Sequence, residues 1–225
     1  MQIQKKFLTP NPYSRPQTAI GKITNIVVHW VGNAGSTAIN NRNYFENLKS
    51  GSKGVYASSH YIVGLEGEII QCIPENEVAY HATTSNNYSI GIENCHPDWQ
   101  GKFNSKTYAS LIALCADICN RYGLNPNKAL LRHYDISGKT CPVYYVDNIS
   151  AWQQLKADVT KALKVLQDTD NPITPIKIEL NGTLKEVDSI IYNDSNYIKL
   201  RDLADSRISI DYNPTTKTPI IKVIK

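Results

Sequence analysis

The run TNIVVHW at residues 24–30 constrains this chain more than any other segment. Ile26, Val27 and Val28 are consecutive and β-branched, with no polar alternation between them. A strand built from them must be covered on both faces, which places it inside a sheet whose parallel neighbours arrive by crossovers. The other segments supply that sheet. SHYIVGL (59–65) and EIIQCI (68–73) flank Glu66-Gly67 and read as a hairpin. YSIGIEN (88–94) alternates apolar with small or polar residues, and ALLR (129–132) is a short run leading into His133.

Helical spacing lies between these runs. Tyr44, Phe45 and Leu48 form a first short pattern. After Asn104-Ser105, the residues Tyr108, Leu111, Ile112, Cys115, Ile118, Cys119 and Tyr122 trace one face, which Gly123 ends. A further helix is expected after Ser150 as cap, with Trp152, Leu155, Val159, Leu163 and Leu166 inward. Interleaved strands and helices predict an α/β domain, a mixed central β-sheet flanked by helices, over residues 1–166. QDTDNPITP (167–175) reads as a linker. Residues 176–225 then read as a small α+β domain. It has a hairpin around Asn181-Gly182, a short helix at Leu200, Leu203 and Ala204, and strands in RISIDY and PIIKVI. About fifty residues hold only a marginal core.

Composition narrows the function classes. With 41% hydrophobic and 20% charged residues the chain is expected to fold rather than stay disordered. A net charge of +4 favours an anionic polymer as partner. Nucleic acid is not expected, because Lys5-Lys6 is the only adjacent basic pair. No apolar stretch follows the basic start, and no run approaches the roughly 18 apolar residues of a membrane span. The expectation is a protein made in the cytoplasm without a signal peptide and without membrane insertion. Five cysteines, an odd number, argue against a disulfide framework, and Cys115 and Cys119 read as core thiols.

His29 ends the first strand, and His133 and Cys141 bound the segment HYDISGKTC. Two imidazoles and a thiolate supply three ligands for tetrahedral zinc and leave the fourth corner to water, as catalytic sites do. Zinc lowers the pKa of such a water to about 7. The spacing alone equally suits hydrogen-bonded histidines, with Cys141 as a small buried hydrophobe. Glu93, closing the YSIGIEN strand, either faces such a metal and takes a proton from its water or is a surface glutamate at a strand end.

VVHW around His29, SHYIVGLEGEIIQ, AYHA around His81, SIGIEN around Glu93 and RHYDISGKTCP (132–142) follow one another as they do in the type 2 N-acetylmuramoyl-L-alanine amidases. That family includes phage and bacterial lysins and the peptidoglycan recognition proteins of animals. The resemblance spans residues 25–166, and it is the joint occurrence that is specific. It implies one Zn2+ ion on His29, His133 and Cys141, with Glu93 as catalytic acid/base. Lys139, two residues before Cys141, matches a functional lysine. His81 matches a position near the bound muramyl peptide. His60 is open between a core hydrogen bond and the site wall, and Trp30 between stacking on sugar and a partly exposed aromatic. Some phage amidases carry a tyrosine where this chain has Ser59, so no tyrosine-assisted route is expected.

The implied activity is zinc-dependent hydrolysis of peptidoglycan, in the manner of a phage endolysin that reaches the cell wall after release, with a host autolysin from a prophage remnant equally compatible. Two alternatives stand beside it. One is a non-catalytic peptidoglycan-binding module of the recognition type. The other is a structural zinc domain with His60 or His81 as fourth ligand. The tail segment IKLRDLADSRISIDYNPTTKTPII resembles the small domain named for the N-terminal region of copper amine oxidases. It has no His and no Cys, so no copper chemistry is expected; its role is read as wall attachment or self-association, with plain structural support as the alternative.

Overall fold

The computed structural model describes the chain except residues 53, 171–173, 181, 193–194, 205–206, 214–217 and 224–225. It divides into two compact units, Met1–Leu166 and Gln167–Lys225.

The first unit is built on six strands: β1 (Ile3–Lys5), β2 (Asn25–Val28), β3 (Tyr61–Val63), β4 (Ile69–Gln71), β5 (Ser89–Asn94) and β6 (Leu130–Arg132). Their order across the sheet is β1-β4-β3-β5-β2-β6. Only the β3–β4 hairpin is antiparallel; the other four pairings are parallel. The run that demanded double coverage is therefore an interior strand, with Ile26, Val27 and Val28 inaccessible to solvent. Among the described residues the α-helices are α1 (Ala38–Asn47), α2 (Ser105–Tyr122), α3 (Pro126–Ala129), α4 (His133–Ser137), α5 (Val143–Asp147) and α6 (Ile149–Asp170).

Strand alternation sorts the core into two layers. Ile26, Val28, Ile90, Ile92, Tyr61 and Val63 pack with Leu111, Leu114, Cys115, Ile118 and Cys119 of α2 and with Trp152, Leu155 and Val159 of α6. Ile62, Ile70 and Cys72 pack with Ala38 and Phe45 of α1 in a second cluster. Fully burying one such aliphatic side chain stabilises by about 1.5–3 kcal/mol. The Asn104 side chain caps α2 by accepting from Thr107 N at 2.9 Å, and Gly123 ends that helix in the left-handed conformation. All five cysteines are free and buried, Cys115 and Cys119 among the core thiols as expected. Tyr44, grouped with Phe45 from spacing, is 46% exposed, so only Phe45 and Leu48 of that pattern face inward.

Two boundaries differ from the sequence reading. α6 begins at Ile149 rather than after Ser150, within the scatter of helix ends. It continues through Asp170, so residues 167–170 of the expected linker are helical; the first breaker, Pro172, comes only after them. Residues 171–173 of that linker lie outside the described residues. Strand β1 was missed, because IQK carries a single apolar residue and owes its strand to pairing with β4.

The second unit contains an antiparallel sheet of β7 (Thr174–Leu180), β8 (Thr183–Tyr192) and β9 (Ser195–Ile198). A separate pair follows, β10 (Ile208–Asn213) with β11 (Thr218–Val223), after a 3-10 turn at Leu200–Leu203. Asn181 of the expected hairpin turn and residues 214–217 of the tail segment lie outside the described residues. Among the described residues of this unit, Val187 and Ser189 are buried, while Leu184 and Val223 are 71% and 77% exposed. So short a segment has little interior to offer. Among the described residues, no helix is long and apolar enough to cross a membrane.

Candidate metal centre

Register brings the candidate residues together. Val28 of β2 pairs with Ile92 on β5 and with Arg132 on β6. One step further along these parallel strands stand His29, Glu93 and His133. Alternation turns Val27, His29, Gly91 and Glu93 away from the face that Ile26, Val28, Ile90 and Ile92 bury against α2 and α6.

The loop carrying Cys141 is held back onto His133. Gly138 ends α4 in the left-handed conformation and its N–H bonds to Tyr134 O, while Tyr134 N donates to Cys141 O at 3.0 Å. Arg132 stiffens this turn. Its backbone N donates to Asp135 Oδ2 at 2.8 Å, its Nη1 to Tyr145 O at 3.0 Å, and its guanidinium lies over the Tyr134 and Trp152 rings. Burial favours the neutral form of Asp135, but the bonds from Arg132 outweigh it and hold its pKa below the ordinary value.

His29, His133 and Cys141 then offer three ligand atoms within 4.8 Å of one another. Cys141 Sγ is 3.8 Å from His29 Nδ1, and the rings of His29 and His133 meet edge to face at 4.7 Å. His29 and Cys141 are each 2% exposed and His133 9%. This donor set suits a cation. Burial pushes the Cys141 thiol up to about 12, the Glu93 charge raising it further. Burial holds His29 well below its ordinary value, and the neighbouring His81, His133 and Lys139 charges add to this. The ligand atoms are thus neutral unless a positive ion draws the thiolate out. His133 Nδ1 is buried with no hydrogen-bond partner, which costs about 1–3 kcal/mol in a protein interior. N,N,S donation with no fourth protein ligand is the zinc pattern of a catalytic rather than a structural site. Among the described residues, no other His, Cys, Asp or Glu joins the three.

Glu93 is half-buried as a residue, yet its Oε2 lies out of solvent with no partner. Burial raises its pKa to about 8, and the nearby Lys139 charge tempers the rise. Lys139 itself is exposed, and its charge is felt at His29, Glu93, His133 and Cys141.

The three residues read as candidate substrate contacts are each engaged with other groups of the protein. His60 is inaccessible and both ring nitrogens are engaged: Nδ1 accepts from Gly91 N at 3.0 Å and Nε2 lies 3.0 Å from Glu77 O. It is a core histidine with no atom left for the site wall or for a metal. His81 sits behind His29, its Nδ1 3.1 Å from His29 Nε2, the nitrogen on the far side of the ring from Cys141. It is thus not a fourth ligand. Trp30 stacks on His96 at 4.5 Å and meets Trp99 edge-on, so one of its faces is already covered. Ser59 is buried and donates to Tyr61 O. The partners Ser89 and Gly91 were missed, although the glycine in SIGIEN, inside a strand, was a signal of close approach.

The N-acetylmuramoyl-L-alanine amidase family profile matches residues 20–144, more than half of the chain. The N-acetylmuramoyl-L-alanine amidase CwlL of Bacillus licheniformis is 34% identical over 175 residues, covering 72% of this chain and 48% of that protein. The chain thus spans about half the length of the curated relatives it matches. Among solved structures, the catalytic domain of XlyA superposes with a TM-score of 0.57 at 27% identity, covering 71% of this chain and 99% of that one. The structure of PlyL shares the fold, with a TM-score of 0.62 at 23% identity over 72% of this chain and 99% of its own. By its profile match, its relatives and its fold, this chain belongs to the type 2 N-acetylmuramoyl-L-alanine amidase family.

Proposed function

We propose that this chain is a zinc-dependent peptidoglycan hydrolase of the endolysin kind. It cleaves the amide between the lactyl group of N-acetylmuramic acid and L-alanine of the stem peptide. The observation that carries the reading is the convergence of His29, His133 and Cys141 within 4.8 Å, with Glu93 one strand away and its Oε2 unpartnered. Zinc on these three residues would supply Lewis acidity for the scissile carbonyl and a water that ionises near pH 7.

Glu93 handles the proton. Burial lifts this carboxyl to about 8 in the zinc-free chain; a cation on the three neighbouring ligands would favour its ionised form, which accepts a proton from the attacking water and returns it to the departing amine. Lys139 places a positive charge over the same cluster, where negative charge develops on the carbonyl oxygen. The Arg132–Asp135 turn keeps His133 and Cys141 in register with β2. A binding module without catalysis has no use for the lifted Glu93 carboxyl, which favours the hydrolase. The second unit is proposed to serve wall attachment or self-association, in line with its sequence resemblance to the small copper amine oxidase-type domain and its sparse core.

The test is Glu93→Ala. The variant is expected to keep its zinc by elemental analysis and to release L-alanine amino groups from purified wall roughly 10²–10⁴-fold more slowly. Undiminished release would remove Glu93 from the reaction.

A further inference from the structure

The hydrogen bonds behind His29 have a direction that can be worked out from their far end. Ser89 Oγ lies 2.6 Å from Ser85 O, a carbonyl that can only accept, so the hydroxyl proton is spent there. Toward His81 Nε2, 3.3 Å away, Ser89 Oγ can then only accept. The same nitrogen also faces Ser89 O at 3.4 Å, a second pure acceptor. His81 Nε2 therefore carries the proton of the neutral ring, and His81 Nδ1 carries the lone pair. Facing that lone pair at 3.1 Å, His29 Nε2 must be the donor. With its proton fixed on Nε2, His29 presents a bare Nδ1, the nitrogen directed at Cys141 Sγ.

The surroundings are shaped for this contact. The Asn86 side chain accepts from the backbone N–H of both His81 and Ala82, pinning the His81 backbone. The His81 ring lies against β5 where Gly91 stands; a Cβ there would come 2.4 Å from His81 Cγ. Any larger residue at position 91 drives the ring off His29.

We propose that His81 is a positioning residue for the metal centre. By accepting from His29 Nε2 it locks His29 in the tautomer whose Nδ1 binds zinc, with Ser89 setting the polarity and Gly91 making the room. The inference rests on the zinc reading of His29, His133 and Cys141. Outer partners of this kind typically change metal affinity by roughly 10–100-fold.

The test compares two variants of the full chain in zinc competition titrations against a chelator. His81→Phe keeps a ring against Gly91 but removes the acceptor. His81→Asn loses the ring but keeps an oxygen near the place of Nδ1. The proposal predicts zinc affinity roughly 10–100-fold lower for the Phe variant and substantially restored for the Asn variant. A packing role alone predicts the reverse order, and wild-type affinity in His81→Phe, or an Asn variant weaker than Phe, overturns the proposal. Long-range nitrogen–proton correlation spectra of the zinc-free wild-type chain supply a reading independent of metal. They should show His29 protonated on Nε2; protonation on Nδ1 overturns the proposal as well. Should wild-type protein take up no zinc, the metal reading fails by itself, and the tautomer spectrum still decides the role of His81.

Discussion

Glu93 holds a carboxyl where ionisation is costly, and that has a consequence for stability as well as for catalysis. Its ordinary value of 4.5 is raised to about 8 in the folded chain. Below pH 4.5 both folded and unfolded states are protonated and the group is neutral toward folding. Between about 4.5 and 8 the unfolded chain sheds the proton while the folded one keeps it, so stability falls as pH rises. Denaturant unfolding of zinc-free protein at pH 5 and pH 8 should show the wild type losing ground to Glu93→Gln at the higher pH. Parallel behaviour of the two proteins would mean that Glu93 is not held neutral. His60 and His81 illustrate the other side of burial: desolvation lowers them to about 4 and about 3, so each works as a neutral, single-tautomer hydrogen-bonding group.

Elements explain which of these residues could be read from sequence. The strand containing Ile26–Val28, the β3–β4 hairpin and α2 announce themselves through runs, turn residues and caps, and the structure has each of them. His29, Glu93 and His133 were legible as strand-end residues, but their meeting depends on three parallel strands being in register, which no local pattern specifies. The resemblance supplied what spacing could not. The surroundings of His60 and His81 could not be read from their motifs. The carbonyl of Glu77 and the N–H of Gly91 that occupy His60, and the ring of His29 that occupies His81, come from distant segments. Likewise, β1 exists through pairing with β4 rather than through its own composition.

At the scale of the whole molecule, the first unit holds the candidate metal centre and, among the described residues, nearly all the buried apolar side chains. The second is a pair of small sheets with little interior of its own. If its role is wall attachment, deleting residues 176–225 should leave cleavage of soluble muropeptides unchanged and reduce the fraction of protein that pellets with purified wall. Equal pelleting would leave self-association, which sedimentation of the full and shortened chains would reveal.

The proposed reaction needs one zinc ion on His29, His133 and Cys141 and breaks one particular bond of the wall. Mass analysis of wall digested by the native, the chelated and the zinc-restored protein tests it directly. Free stem peptides beginning with L-alanine and glycan bearing intact lactyl groups are expected, absent after chelation and regained with zinc. Digestion that survives removal of the metal, or products opened at a sugar–sugar or peptide–peptide bond, would contradict it.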